Sequence, residues 1–176
     1  PISFEDFRSK DSEKLVTEEE KLYCEKYVAE NIGEFDADSL TWLMLDLDFD
    51  GKSEIVTIPD GDGSIFIFEK TDGEPRFINS IDNPADKTEA FPETRKLLNF
   101  GLYENEEEKY YYFCFDVSVQ KSGLIKARTA EAVRKTEEGF YSEYLLSYGI
   151  LAYGDSLSEE TCFFRDDFKI SEITAD

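Results

Sequence analysis

Two-residue alternation is the feature that most restricts the fold. Between residues 110 and 119 the odd positions Tyr111, Phe113, Phe115, Val117 and Val119 are apolar, while the even positions end in Asp116 and Ser118. Side chains two apart share a face only on an extended chain, so this pattern specifies a strand with one face on a core and a wetter face opposite, the habit of an antiparallel sheet. Phe140, Tyr144, Leu146, Tyr148 and Ile150 alternate in the same way, after a turn at Glu137-Glu138-Gly139. Upstream, residues 39–45 are mostly apolar, Ile55-Val56-Thr57-Ile58 is β-branched, and Ile65-Phe66-Ile67-Phe68 and Arg76-Phe77-Ile78 follow. Asp60-Gly61-Asp62-Gly63 and Asp72-Gly73 between them are hairpin-turn chemistry. Residues 124–136, whose pattern suits strand or helix, are taken with 163–170 as further strands, and 79–91 as a loop.

Two segments break this pattern. Thr17 followed by Glu18-Glu19-Glu20 is a capping box at the start of a helix, with acidic residues at the positive end of its dipole. Cys24, Tyr27, Val28 and Ile32 then share one helical face, and Gly33 is placed to cap the end. Residues 92–100, with Pro92 near the start and Gly101 at the close, predict one or two further helical turns. The expected fold is α+β: an N-terminal helix followed by a mostly antiparallel β-meander of seven to nine strands, as an open sheet, a sandwich or a partly closed barrel. A helical segment, 1–38, and a β-rich domain, 39–176, together make one compact domain, with residues 1–14 polar and loosely docked.

Composition narrows the function. The 176 residues hold 41 Asp and Glu against 19 Lys and Arg, a net charge of −22. There is no cationic surplus to displace phosphate counterions, which excludes nucleic-acid binding through a basic patch and disfavours an anionic membrane surface. Histidine is absent, which excludes Ser-His-Asp and Cys-His catalysis, His-ligated zinc and imidazole pH switches. The mean hydropathy of −0.49 would suit a disordered chain, but 15 Phe, 10 Tyr and one Trp point to a folded aromatic core beneath an acidic surface. No apolar run approaches the roughly 18 residues of a membrane span. Cys24, Cys114 and Cys162 form no CxxC pair and read as small buried hydrophobes, with a Cys114–Cys162 bridge open to them if their strands are neighbours.

The sharpest chemical signal is Asp46-Leu47-Asp48-Phe49-Asp50-Gly51-Lys52-Ser53-Glu54. Carboxylates occupy positions 1, 3, 5 and 9. A hard divalent ion takes six to eight oxygens at about 2.3–2.6 Å, and carboxylates this close in sequence converge on one ion when the chain curls around it. Gly51 at position 6 permits the positive-φ turn that closes the curl. The expected ligands are Asp46, Asp48, Asp50, the Lys52 backbone carbonyl and Glu54. All-oxygen donors, with neither imidazole nor thiolate, favour Ca²⁺ over zinc or copper, and the reluctance of Mg²⁺ to shed its waters places it behind Ca²⁺. An acidic turn that binds nothing is the plain alternative.

The same residues, followed by Ile55-Val56, resemble the calcium loops of the FG-GAP and VCBS type of extracellular repeat, which run from strand to strand. They also resemble the first half of an EF-hand loop, but Thr57 stands at position 12 and a β-branched segment follows instead of a helix. With the next hairpin, the stretch from about 40 to 80 is similar to uncharacterised bacterial secreted proteins and lipoproteins that carry such a loop. It occurs once, so no β-propeller ring is implied.

Other strings carry less. Gly154-Asp155-Ser156-Leu157 matches the name motif of the GDSL esterases, but few residues follow and no His can serve as base, so it reads as a polar turn. Asp60, Asp62, Asp36 and Asp38 read as turn residues, and residues 104–108 as a solvated acidic loop. In Tyr110-Tyr111-Tyr112, Tyr111 is expected in the core and its neighbours on the sheet surface. Paired carboxylates for glycoside hydrolysis find no spacing that picks out a pair.

The expected function is a non-enzymatic, extracytoplasmic calcium-binding domain with a structural Ca²⁺ and an unknown protein or cell-surface partner. Pro1 in place of Met fits a signal or lipid-anchor segment removed upstream, and equally a removed tag. The rival is an acidic intracellular inhibitor or nucleic-acid mimic that covers a basic protein by charge complementarity.

Overall fold

The computed structural model describes residues 16–82, 93–120, 124–153 and 156–163. Helix α1 (Glu18–Ile32) begins where its capping box places it. The Glu20 N–H donates to Thr17 Oγ1 at 3.2 Å, and Glu20 Oε2 accepts the Thr17 N–H at 2.9 Å. At the other end Gly33, at φ 79°, donates its N–H to the Ala29 carbonyl. Asp36 then caps a short 3₁₀ turn, Ala37–Ser39, which leads into the first strand. The expected docking of residues 1–14 lies outside the described residues.

Among the described residues, nine strands follow in two antiparallel sheets. The first holds β1 (Leu40–Leu45), β2 (Glu54–Pro59), β3 (Ile65–Thr71) and β4 (Glu74–Ile81), and the second β5 (Glu93–Glu104), β6 (Lys109–Gln120), β7 (Leu124–Thr136), β8 (Gly139–Tyr153) and β9 (Ser156–Phe163). In each sheet the spatial order is the chain order, a plain meander, and neither sheet closes into a barrel. Together with α1 this is a mostly β arrangement of the expected broad class. The β3–β4 turn is the expected hairpin: Asp72 and Gly73 both have positive φ, 54° and 86°, the pairing a two-residue turn needs to match strand twist.

The apolar run Ile65–Phe68 of β3, and that of β2 broken only by Thr57, have a physical reason. Both faces of the first sheet are covered, so both sets of alternate side chains must be apolar. Phe66 and Phe68 join Ile55 and Trp42 beneath Cys24 and Val28 of α1. Val56, Ile65 and Ile67 face the other way, into a core shared with Phe113, Phe115, Phe100 and Phe140 of the second sheet. One ion pair is enclosed with them. Arg95 Nη2 on β5 meets Glu131 Oε2 on β7 at 2.7 Å, with side chains 3% and 2% exposed, and the Arg95 guanidinium lies 4.1 Å from the centre of the Phe115 ring. The Arg95 backbone also exchanges two hydrogen bonds with Gly61, bridging the sheets.

Several expectations change. Residues 93–100 are not helical but belong to β5. Its ladder with β6 slips by one residue between Leu97 and Asn99, so Leu97 and Phe100, three apart, both enter the shared core. A bulged strand thereby imitates helical spacing. Gly101 caps nothing; a Cβ there would stand 2.4 Å from the Tyr112 hydroxyl. The even side of β6 is not wet along its length, since Tyr110, Tyr112 and Cys114 are buried in a second cluster with Ala130, Ala132, Leu145 and Leu146. β4 extends to Ile81, into the expected loop, and the last described strand is Ser156–Phe163; residues 164–170 lie outside the described residues. Cys114 on β6 and Cys162 on β9 are not neighbours, because β7 and β8 intervene. Three strand spacings, about 14 Å, exceed the reach of a disulfide.

Candidate metal centre

The acidic nonapeptide is the connection between β1 and β2, which pair up to Leu45 opposite Glu54. Leu47 is buried in the shared core, which anchors the loop from below. Phe49 at φ 59° and Gly51 at φ 90° turn the chain back on itself. The curl closes on its own carboxylates. Asp46 Oδ1 accepts the Asp50 N–H at 3.0 Å, and Oδ2 accepts the Gly51 N–H at 2.9 Å. Asp48 Oδ1 accepts the Asp50 N–H at 3.3 Å, and Asp50 Oδ1 accepts the Lys52 N–H at 2.8 Å. Asp46, Asp48 and Asp50 each present an oxygen within 4.8 Å of the others. Such a group can hold a metal ion, and its hard oxygen donors suit a hard one.

Glu54 arrives from the first residue of β2. It is 4% exposed, and its Oε2 accepts the Leu47 N–H at 2.8 Å. Burial pushes its carboxyl up to about 7; the Leu47 hydrogen bond opposes this, and the negative charges of Asp48 and Asp50 add to it. Glu54 thus lies within electrostatic reach of the three aspartates but outside the 4.8 Å group they form. Lys52 is exposed, as suits a residue expected to offer only its backbone.

The loop is also held from the second sheet. Lys135, near the end of β7, pairs its ammonium with Asp48 Oδ2. Partial burial works to raise the Asp48 carboxyl, and Lys135 outweighs it, leaving Asp48 below its ordinary value. The Phe49 ring stacks on Tyr111 of β6, with centres 5.7 Å apart and planes at 9°, and the Lys109 ammonium lies 4.8 Å from the Phe49 centre. Lys135, Lys109 and Tyr111 carry no local signal of this role. Lys135 is 87 residues from Asp48, and only the approach of the two sheets brings it there.

The other acidic strings are structural. Asp62 Oδ1 accepts the Ser64 N–H, Asp36 Oδ1 accepts the Asp38 N–H, and Asp60 pairs loosely with Lys96. Tyr111 is half-buried, whereas Tyr110 and Tyr112, expected on the sheet surface, are 1% and 5% exposed. Ser156 and Leu157 open β9 opposite Tyr153 and Ala152; Gly154 and Asp155 lie outside the described residues. The fold and site define a two-sheet β protein with an acidic hairpin loop able to take a metal. Comparison with protein-family models, curated proteins and solved structures finds no match.

Proposed function

We propose that the protein is a non-enzymatic calcium-binding domain that works outside the cytoplasm, with a structural Ca²⁺ in the loop 46–54. One observation carries this reading: Asp46, Asp48 and Asp50 converge in a strand-to-strand loop that turns on Gly51. Ca²⁺ wants more oxygens than three monodentate aspartates supply. The Lys52 carbonyl, the Glu54 carboxylate and water are the candidates to complete the shell. The ion would offset the mutual repulsion of the aspartates and tie β1 to β2. The loop's likeness to FG-GAP and VCBS calcium loops supports a setting in secreted proteins or lipoproteins, where calcium is plentiful and affinities of about 10⁻⁴–10⁻³ M suffice.

The test is thermal unfolding with EDTA and with millimolar Ca²⁺. At about tenfold above the dissociation constant, millimolar Ca²⁺ should raise the melting temperature by about 3–6 °C. A melting temperature that ignores both additions overturns the reading.

A further inference from the structure

Lys135 stands opposite Phe140 in the β7–β8 ladder, its ammonium 5.1 Å from the centre of that ring. From this perch it reaches the first sheet and pairs with Asp48. The two ends of the pair differ in freedom: the Asp48 side chain is 11% exposed and that of Lys135 is 42%. The carboxylate is fixed by the loop's hydrogen bonds, while the ammonium rides a flexible stem with one side in water. Lys135 also stands between two hollows. One, of about 220 Å³, holds Asp50 and Glu54; the other, of about 190 Å³, holds Glu137 and Glu138, and Glu69 borders both. A lysine released from Asp48 therefore has the Phe140 ring beneath it and further carboxylates within its swing.

We propose that Lys135 is the resident counter-ion of the acidic loop, and that a divalent cation must displace its ammonium from Asp48 in order to bind. The inference rests on the metal reading above. An ammonium and a dication on one carboxylate would stand only about 4–5 Å apart, a like-charge contact well inside the screening length of physiological salt. Until the ion arrives, Lys135 neutralises part of the loop and keeps its carboxylates together. Once bound, the ion supplies twice that charge and direct ligation. A monovalent ion brings no more charge than the ammonium it would evict, and it lacks the tether. Lys135 thereby sets the concentration at which the loop loads and biases it toward divalent ions.

Two measurements test this: calorimetric titration of Ca²⁺ into the wild type and Lys135→Met, and the acetylation rate of Lys135 in the wild type with Ca²⁺ or EDTA, followed by mass spectrometry. Lys135→Met should bind Ca²⁺ about fivefold more tightly or better, and Ca²⁺ should speed acetylation of the released amine. Equal or weaker binding by the variant beside a normal wild-type titration overturns displacement and leaves the metal site standing. So does an acetylation rate that Ca²⁺ does not move while the wild type binds it. If neither protein takes up Ca²⁺ although both unfold cooperatively, the metal reading itself fails and the inference goes with it.

Discussion

Asn79 on β4 holds both backbone groups of Phe140 on β8: its Oδ1 accepts the Phe140 N–H at 2.9 Å, and its Nδ2 donates to the Phe140 carbonyl at 2.8 Å. One side-chain amide does here what a neighbouring strand does elsewhere, joining the edge of the first sheet to the second. The fit needs a glycine beside it, because a Cβ at Gly139 would lie 2.6 Å from Asn79 Oδ1. Phe140 places its ring in the shared core and faces Lys135 across the ladder. The clamp therefore also fixes the perch from which Lys135 reaches the loop.

Asn79→Ala removes both partners from Phe140 and should cost about 1–3 kcal/mol. Asn79→Asp keeps the acceptor but sets a carboxylate against the Phe140 carbonyl, so at neutral pH it should be no more stable than the alanine variant. Urea unfolding midpoints check both. A wild-type midpoint for Asn79→Ala would show that water replaces the clamp without loss.

The Arg95–Glu131 pair should behave asymmetrically. Removing one partner leaves a charge buried without compensation, and Arg95→Met or Glu131→Leu alone should cost about 3–5 kcal/mol. The double variant should recover much of that loss, since two apolar side chains suit the core around Phe115. A double-mutant cycle in urea measures the coupling; additive losses would mean that the two charges do not support each other. Gly63→Ala should damage the same region, because its Cβ would stand 2.3 Å from the Arg95 Cβ and Gly63 has φ 71°.

Features written in adjacent residues were legible in the sequence. The capping box at Thr17, the Asp72-Gly73 hairpin and the gathering of Asp46, Asp48 and Asp50 each depend on a few consecutive positions, and the structure carries all three. What escaped depends on partners far along the chain. Pro92 and Gly101 stand in the sequence where a helix would start and stop, and neither reports the bulge that lets Leu97 and Phe100 enter the shared core from strand β5. Period two sets Tyr110 and Tyr112 on the face opposite Tyr111 and says nothing about what covers that face. Arg95, Glu131 and Lys135 look like ordinary surface charges in the sequence; their partners come from other strands, and Lys135 finds its own on the opposite sheet.

Glu20 sets an acid limit on the helix. Burial works to raise its carboxyl, and hydrogen bonds and charge from Lys70, with the Thr17 N–H, outweigh this, so the folded value lies below the ordinary one. Its contribution is present above pH 4.5 and is lost as pH falls through the folded value. Glu20→Gln should keep the bond to the Thr17 N–H and lose the ion pair with Lys70 Nζ, 2.7 Å away, whereas Glu20→Ala loses both. The alanine variant should therefore be the less stable at pH 7, by about 1 kcal/mol, the worth of a cap. Far-ultraviolet circular dichroism during thermal unfolding checks the order; equal stabilities would mean that the capping bond is idle.

Glu54 should act with the opposite sign. Its folded value, about 7, lies above the ordinary 4.5. Between those values the folded chain holds a proton that the unfolded chain has released, so without metal its contribution to stability falls as pH rises through that window and is level beyond it. The loss should be on the order of 2–3 kcal/mol. Glu54→Gln cannot titrate, so the wild-type minus variant difference in EDTA should shrink or reverse between pH 4.5 and 8. Taking the difference removes the effect of the many other acids. With Ca²⁺ the demand is reversed: a ligating carboxylate must shed its proton, so calcium affinity should rise from pH 5 to 8 and binding near pH 6 should release protons. Unfolding curves at the two pH values, and calorimetry in buffers of different ionisation enthalpy, read both effects. A pH-independent difference in EDTA would mean that Glu54 is ionised as readily in the folded protein as in water.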